Sequence, residues 1–321
     1  MHREIKICLT VVFVLFSAHA ISFAQDKAPN AKEPVNETAT PLVHFNHFYI
    51  VVDDDTFDEI KNSEFIKNEF GGIHEESTTT EKGETYKGGY LIGRKSYIEL
   101  FNSQGLEGAK EGTVGIGFST QKAGDLEVIY DRFKAEFGDT ASKDLREMVS
   151  GEAKFPWFNV VSSLPEDNKL PFACWVMEMH PLHLSFFGAK PDSNGIVSRE
   201  NYWEAVNKKT MEYSGKPYLP ERCFNDITSL ELVLTQNELE RFSKELSACG
   251  YLKNEGQGGA SFQGPGIKIK VQTENDPTYR ISSLTMTLEN QLEGPIDLQF
   301  GSNARLKIAS DRLGKWQFGK H

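Results

Sequence analysis

Residues 44–52 read HFNHFYIVV and residues 97–101 read YIELF. Both stretches are aromatic and β-branched with no turn residue inside, so each reads as a strand. Between them, Asp53-Asp54-Asp55-Thr56 can cap a helix, and apolar residues recur at Phe57, Ile60, Phe65, Ile66 and Phe70. Ser63 can split that helix in two, and Gly71-Gly72 stops it. Two further strands, around 75–80 and 86–93, come before YIELF, which gives the order β-α-β-β-β.

A similar order starts again at residue 113. Residues 114–120 read as a strand, and 125–137 has helical spacing at Leu126, Ile129, Phe133 and Phe137. A polar insertion follows, then strands at 157–162 and 172–180. A third start comes at 227–234, with a helix over 237–249 closed by Gly250 and strands at 267–271 and 281–288. Gly256, Gly258 and Gly259 precede a strand and read as a mobile loop. Residues 189–225 read as a connector with a short helix around 202–206. Recurrence of one unit predicts internal duplication and an α+β fold. The expected organisation is paired units over 42–188, the connector over 189–225, and a third, degenerate unit over 226–321.

The first 24 residues carry Arg3 and Lys6, then a short apolar run from Ile7 to Phe16, then small residues at Ala18, Ala20, Ser22 and Ala24. That pattern reads as a cleaved export signal, the run being too short to span a bilayer comfortably. Residues 25–41 are polar, contain three prolines, and read as a flexible linker. The expected location is periplasmic or secreted, with no membrane insertion after cleavage. Beyond the signal, only Cys174, Cys223 and Cys249 remain, too few for a disulfide framework, and buried free thiols are expected.

Of 321 residues, 46 are acidic and 35 basic, for a net charge of -11. A chain this acidic lacks the basic face that nucleic acid requires. Its mean hydropathy of -0.44 excludes a polytopic membrane protein, and its 11% aromatic content excludes a disordered acidic chain. No strand–glycine-loop–helix unit appears, so no nucleotide cofactor is expected. Serine-elbow, His-Glu-x-x-His and Cys-x-x-Cys motifs are also missing.

Strand alternation places His47 and Tyr49 on one face of the opening strand, and Tyr97 and Glu99 on one face of the closing strand. A carboxylate among aromatics needs a cation or a proton, because bare burial costs several kcal/mol. Glu178, in WVMEMH, parallels Glu99 in the second unit. That unit's opening strand, VGIGF, offers no ligand, so His180 or His183 would have to supply a missing nitrogen. The expected set is a divalent metal (Zn, Fe, Mn or Ni) on His47, Glu99, Glu178 and His180, with Glu99 and Glu178 catalytic. Tyr49, Tyr97, Trp157 and Trp175 would wall the pocket of a small-molecule ligand.

The element order, with NHFY opening and YIELF closing the unit, resembles a module of the vicinal oxygen chelate superfamily, which includes glyoxalase I and extradiol dioxygenases. YIELF together with Trp157-Phe158 and WVMEMHP is similar to uncharacterised glyoxalase-like proteins. The resemblance implies curved, U-shaped mixed sheets with helices outside, and a metal held by first- and last-strand residues of paired modules. It also implies isomerase, lyase or dioxygenase chemistry on a substrate that chelates through vicinal oxygens. The missing fourth ligand leaves a second reading open, a binding module with a degenerate metal site.

Overall fold

The computed structural model describes residues 42–79, 85–106, 108–150, 153–164, 170–219, 222–256, 258–309 and 312–319. The expected export signal and linker lie outside the described residues.

The first unit runs β1 (His44–Val51), α1 (Asp54–Asn62), β2 (His74–Thr79), β3 (Thr85–Ile92) and β4 (Tyr97–Phe101). Asp53 caps α1 by accepting the Thr56 N–H at 2.9 Å, and the helix ends at Ser63. The second unit runs β5 (Val114–Ser119), α2 (Asp125–Phe137), β6 (Ser142–Ser150), β7 (Ala153–Ser162) and β8 (Phe172–Met179). The two units join through antiparallel pairing of their opening strands, β1 and β5, and each opening strand lies parallel to its own closing strand. One curved sheet of order β2-β3-β4-β1-β5-β8-β7-β6 results. This is the α+β architecture of repeated modules predicted from the sequence.

A short helix, α3 (Pro181–Phe187), and a longer one, α4 (Arg199–Ser214), follow β8. The remaining chain runs β9 (Phe224–Leu234), α5 (Gln236–Ala248), β10 (Leu252–Gly256), β11 (Gly259–Gly264), β12 (Ile267–Thr273), β13 (Ile281–Leu288), β14 (Ile296–Phe300), β15 (Ala304–Ile308) and β16 (Leu313–Phe318). These strands form a second sheet of order β10-β11-β12-β9-β13-β16-β15-β14, which repeats the strand order of the first, although β13 and β16 pair antiparallel where β5 and β8 pair parallel.

Residues 226–321 therefore hold two units where one was expected. The strand at 281–288 opens a fourth unit rather than closing the third. That fourth unit has no helix after its first strand, which removes the landmark used to count units. The glycines at 256–259 sit at the turn of the β10–β11 hairpin, which pairs from Leu252 with Gln263 to Gly256 with Gly259. The polar insertion after α2 contains β6, which is mostly half-buried and carries four charged residues, as suits the sheet's outer edge. Cys174, Cys223 and Cys249 are free and buried, as expected.

The two sheets pack back to back. Phe48, Ile50, Ile98, Ile116, Phe118 and Val176 turn to the helix side of the first sheet, and Leu230, Ile269, Leu284 and Trp316 to that of the second; all share one core. Between the sheets, α5 meets α2 and β8: Phe242 packs edge-on against Phe172 at 5.1 Å, and Arg132 donates to the Ala248 carbonyl at 3.1 Å. At the other end, Asn303 donates to Asp53 at 2.9 Å and the Gly301 N–H donates to Glu59 at 2.7 Å. The opposite face of each sheet points away from this core. In the second sheet that face is polar, with Glu231 between Lys270 and Lys315. In the first it is aromatic and covered by the segment 181–219, which includes α3 and α4.

Candidate functional site

The covered face of the first sheet is built by register. His47 pairs with Tyr97 and Gly117, Tyr49 with Glu99 and Gly115, and Gly117 with Trp175. Directly paired residues share a face, so His47, Tyr49, Tyr97, Glu99 and Trp175 are brought together. The His47 and Tyr97 rings stack at 4.3 Å, Trp175 meets His47 edge-on at 5.4 Å, and Tyr49 stacks on Trp175 at 6.0 Å. The glycines of VGIGF make this cluster possible. A Cβ on Gly117 would stand 2.3 Å from the His47 ring, and one on Gly115 2.2 Å from Tyr49. The second unit's opening strand thus has no ligand because first-unit rings lie across it.

Asn46 occupies a bulge in β1, where the register shifts between Phe45 and His47. It therefore turns toward the same side as His47, donates to Ser119 Oγ at 3.1 Å, and meets His47 Nδ1 through Oδ1 at 2.9 Å. With the amide so oriented, Nδ1 carries the imidazole proton and Nε2 faces Glu99 Oε1 at 3.8 Å. Burial first, then the charge of Arg199, holds the His47 pKa well below the usual 6.5. Burial and the neighbouring Glu99 push the Tyr49 hydroxyl up to about 12, and act on Tyr97 in the same direction.

Three sequence-predicted residues are placed elsewhere. Glu178 follows Met177 in β8 and so turns to the helix side, away from His47 and Glu99. Its oxygens accept from the Thr120 hydroxyl and from the Gly124 and Leu126 N–H groups, each at 3.0 Å. It is the anionic cap of α2, whose own N-cap residue is a glycine with no side chain to offer. The parallel with Glu99 fails because the two carboxylates stand on opposite faces of one sheet. His180 caps α3, its Nδ1 accepting from the Leu182 N–H at 3.2 Å. Its neighbour His183 is buried against the Tyr202 hydroxyl at 3.1 Å. Trp157 lies at a bulge in β7, its ring against Phe158 at 4.8 Å, and does not join the His47 cluster.

Besides Asn46, the site residue not expected from the sequence is Arg199. It opens α4 in the segment expected to be a connector, where Ser198 caps the helix by accepting the Asn201 N–H at 3.1 Å. Its guanidinium carbon lies 4.8 Å from the centres of the Tyr97 and Trp203 rings and 5.8 Å from that of Tyr202. Ser198-Arg199-Glu200 is a legible helix start, but nothing local says which sheet face the helix will cover.

The donors present do not fit a resident metal. A catalytic zinc site needs about three protein ligands, and this face supplies His47 and Glu99. The oxygens of Glu178 are engaged on the other face, and His180 is engaged at a helix cap. The charge of Arg199 instead acts on both His47 and Glu99, so the cup already holds a cation. Among the described residues, no three His, Cys, Asp or Glu side chains cluster as metal ligands. In the second sheet, Ser229 and Lys270 occupy the register positions of His47 and Glu99, pairing as β9 with β12.

A family model matches residues 45–318, nearly all of the folded chain. The chain belongs to a family of unknown function, DUF5829. The model that matches is thus not one of a glyoxalase family. No curated protein matches the chain. Among solved structures, a hypothetical protein from Staphylococcus aureus is 12% identical, with a TM-score of 0.46, over 80% of this chain and 96% of its own. A xylose isomerase-like TIM barrel/4-hydroxyphenylpyruvate dioxygenase fusion protein is 11% identical, with a TM-score of 0.37. That likeness spans 78% of this chain and 36% of the fusion protein.

Proposed function

We propose that this DUF5829 protein is an exported, non-enzymatic small-molecule-binding module built on a metal-binding architecture that no longer binds metal. The observation that carries this reading is Arg199. A fixed guanidinium, caged by Tyr97, Tyr202 and Trp203, supplies the positive charge that Glu99 needs on this face. A chelated divalent ion would have to enter beside that cation, with two ligands and against its repulsion. Beside this cluster, a cavity of about 180 Å³ opens between the end of the sheet and the α3–α4 segment, with Asn46, Met177, Leu184 and Tyr202 among its walls. Mixed apolar walls with a few convergent polar groups are the common make-up of a ligand site. Export is supported by the amino-terminal pattern of a basic pair, an apolar run and small residues.

Equilibrium dialysis of the full chain against zinc, manganese or ferrous iron, followed by elemental analysis, tests the reading. The expected result is no stoichiometric metal. One equivalent that disappears in Glu99→Gln would replace the binding reading with a metalloenzyme.

A further inference from the structure

We infer that the cavity beside Arg199 takes a small carboxylate, about the size of a one-ring acid, with the guanidinium as its counter-charge; this rests on the binding reading above. The cavity lies between the ends of β5 and β8 on one side and the segment 181–202 on the other. Its apolar walls include Met177, Met179, Leu184 and Val197, and Arg199 lies among its lining residues.

The balance of hydrogen-bond groups argues for an acceptor. Arg199 Nε is buried and has no hydrogen-bond partner. An unpaired buried guanidinium N–H is destabilising, more so than a neutral donor, and a ligand oxygen would recover that loss. The Tyr97, Tyr202 and Trp203 rings stabilise the cation through their faces, and the Tyr97 hydroxyl and the Glu99 charge engage the guanidinium elsewhere, but neither supplies an acceptor at Nε. Lys122 also lines the cavity and adds positive charge at its rim. The one carboxylate in the wall, Glu178, is already saturated by the Thr120 hydroxyl and two main-chain N–H groups, so it neither takes a ligand cation nor leaves an empty acceptor. An Arg that presents N–H groups in one plane suits a carboxylate, whose two oxygens match that fork. In size, an engineered cavity of about 150 Å³ holds benzene, so about 180 Å³ has room for a ring or a short branched chain bearing one charged group.

Calorimetric titration of the full chain with acetate, isobutyrate, benzoate and phenylacetate, each beside its neutral amide, tests the inference. At least one acid is expected to bind with one-to-one stoichiometry and about tenfold or more tighter than its amide, the usual consequence of losing one member of a buried charge pair. Arg199→Gln should bring that acid down to the level of the amide. Ser185→Trp, at an exposed position of the cavity wall, should block both without touching the aromatic cage. Acids and amides binding alike would overturn the carboxylate assignment and leave the small-molecule reading standing. Saturable binding by none of the acids would overturn it as well. The binding reading itself fails by the separate route of stoichiometric metal in dialysis.

Discussion

Glu178→Ala is expected to lower the unfolding free energy by about 3 kcal/mol and to leave metal content unchanged. The buried carboxylate satisfies three donors at once, two of them main-chain N–H groups in the approach to and first turn of α2. Removing it leaves those donors without an acceptor at about 1–3 kcal/mol each, partly offset by water entering from the neighbouring cavity. It also removes a negative charge from the positive end of a 13-residue helix. Glu178→Gln keeps the shape and one acceptor oxygen, so it should cost about half as much. Urea denaturation followed by circular dichroism reads both. A near-neutral Glu178→Ala with loss of a bound metal would return this residue to the role expected from the sequence.

Trp316→Ala is expected to cost about 4 kcal/mol, in the range for deleting a fully buried large aromatic side chain. Trp316 is 0% exposed, stacks on Phe318 at 5.8 Å, and meets Phe70 of the first half edge-on at 5.8 Å. Phe70 in turn stacks on Phe224 at 5.1 Å, so rings from both halves interdigitate. A loss of that size is a large share of the roughly 5–15 kcal/mol that holds an ordinary domain folded. Because the core is shared, both sheets should melt in one transition at a lower urea concentration. Two separated transitions, with the first sheet unaffected, would show that the halves fold independently.

The fold was legible where periodicity and punctuation agreed. HFNHFYIVV, the Asp53 cap and YIELF fix one unit, and its recurrence predicts the paired sheet. Legibility failed for β6 and β14, edge strands rich in polar residues, for the short β15 beside β14, and for the fourth unit, which has no helix to announce it. For the site, alternation put His47 and Glu99 on one face, which register with Tyr97, Tyr49 and Gly117 bears out geometrically. The same reasoning went wrong for Glu178 because strand position was matched without matching face, and a shift of one residue reverses the side. Asn46 was invisible because a bulge breaks alternation. Arg199 was invisible because its role depends on where a helix with little amphipathic character comes to rest.

With Arg199 as the resident cation of the first cup, the His47 imidazole beside it must titrate accordingly. Burial and the Arg199 charge both disfavour the protonated ring, so its folded pKa lies below the unfolded 6.5. Its contribution to stability is then present above pH 6.5 and lost as the pH falls toward the folded value. Long-range proton–nitrogen NMR should show His47 neutral and protonated on Nδ1 as the pH is lowered through 6.5, and Arg199→Gln should move its titration part-way back up. A His47 that titrates at or above 6.5 in the wild type, or that does not respond to Arg199→Gln, would show that Arg199 is not the cation of this cup.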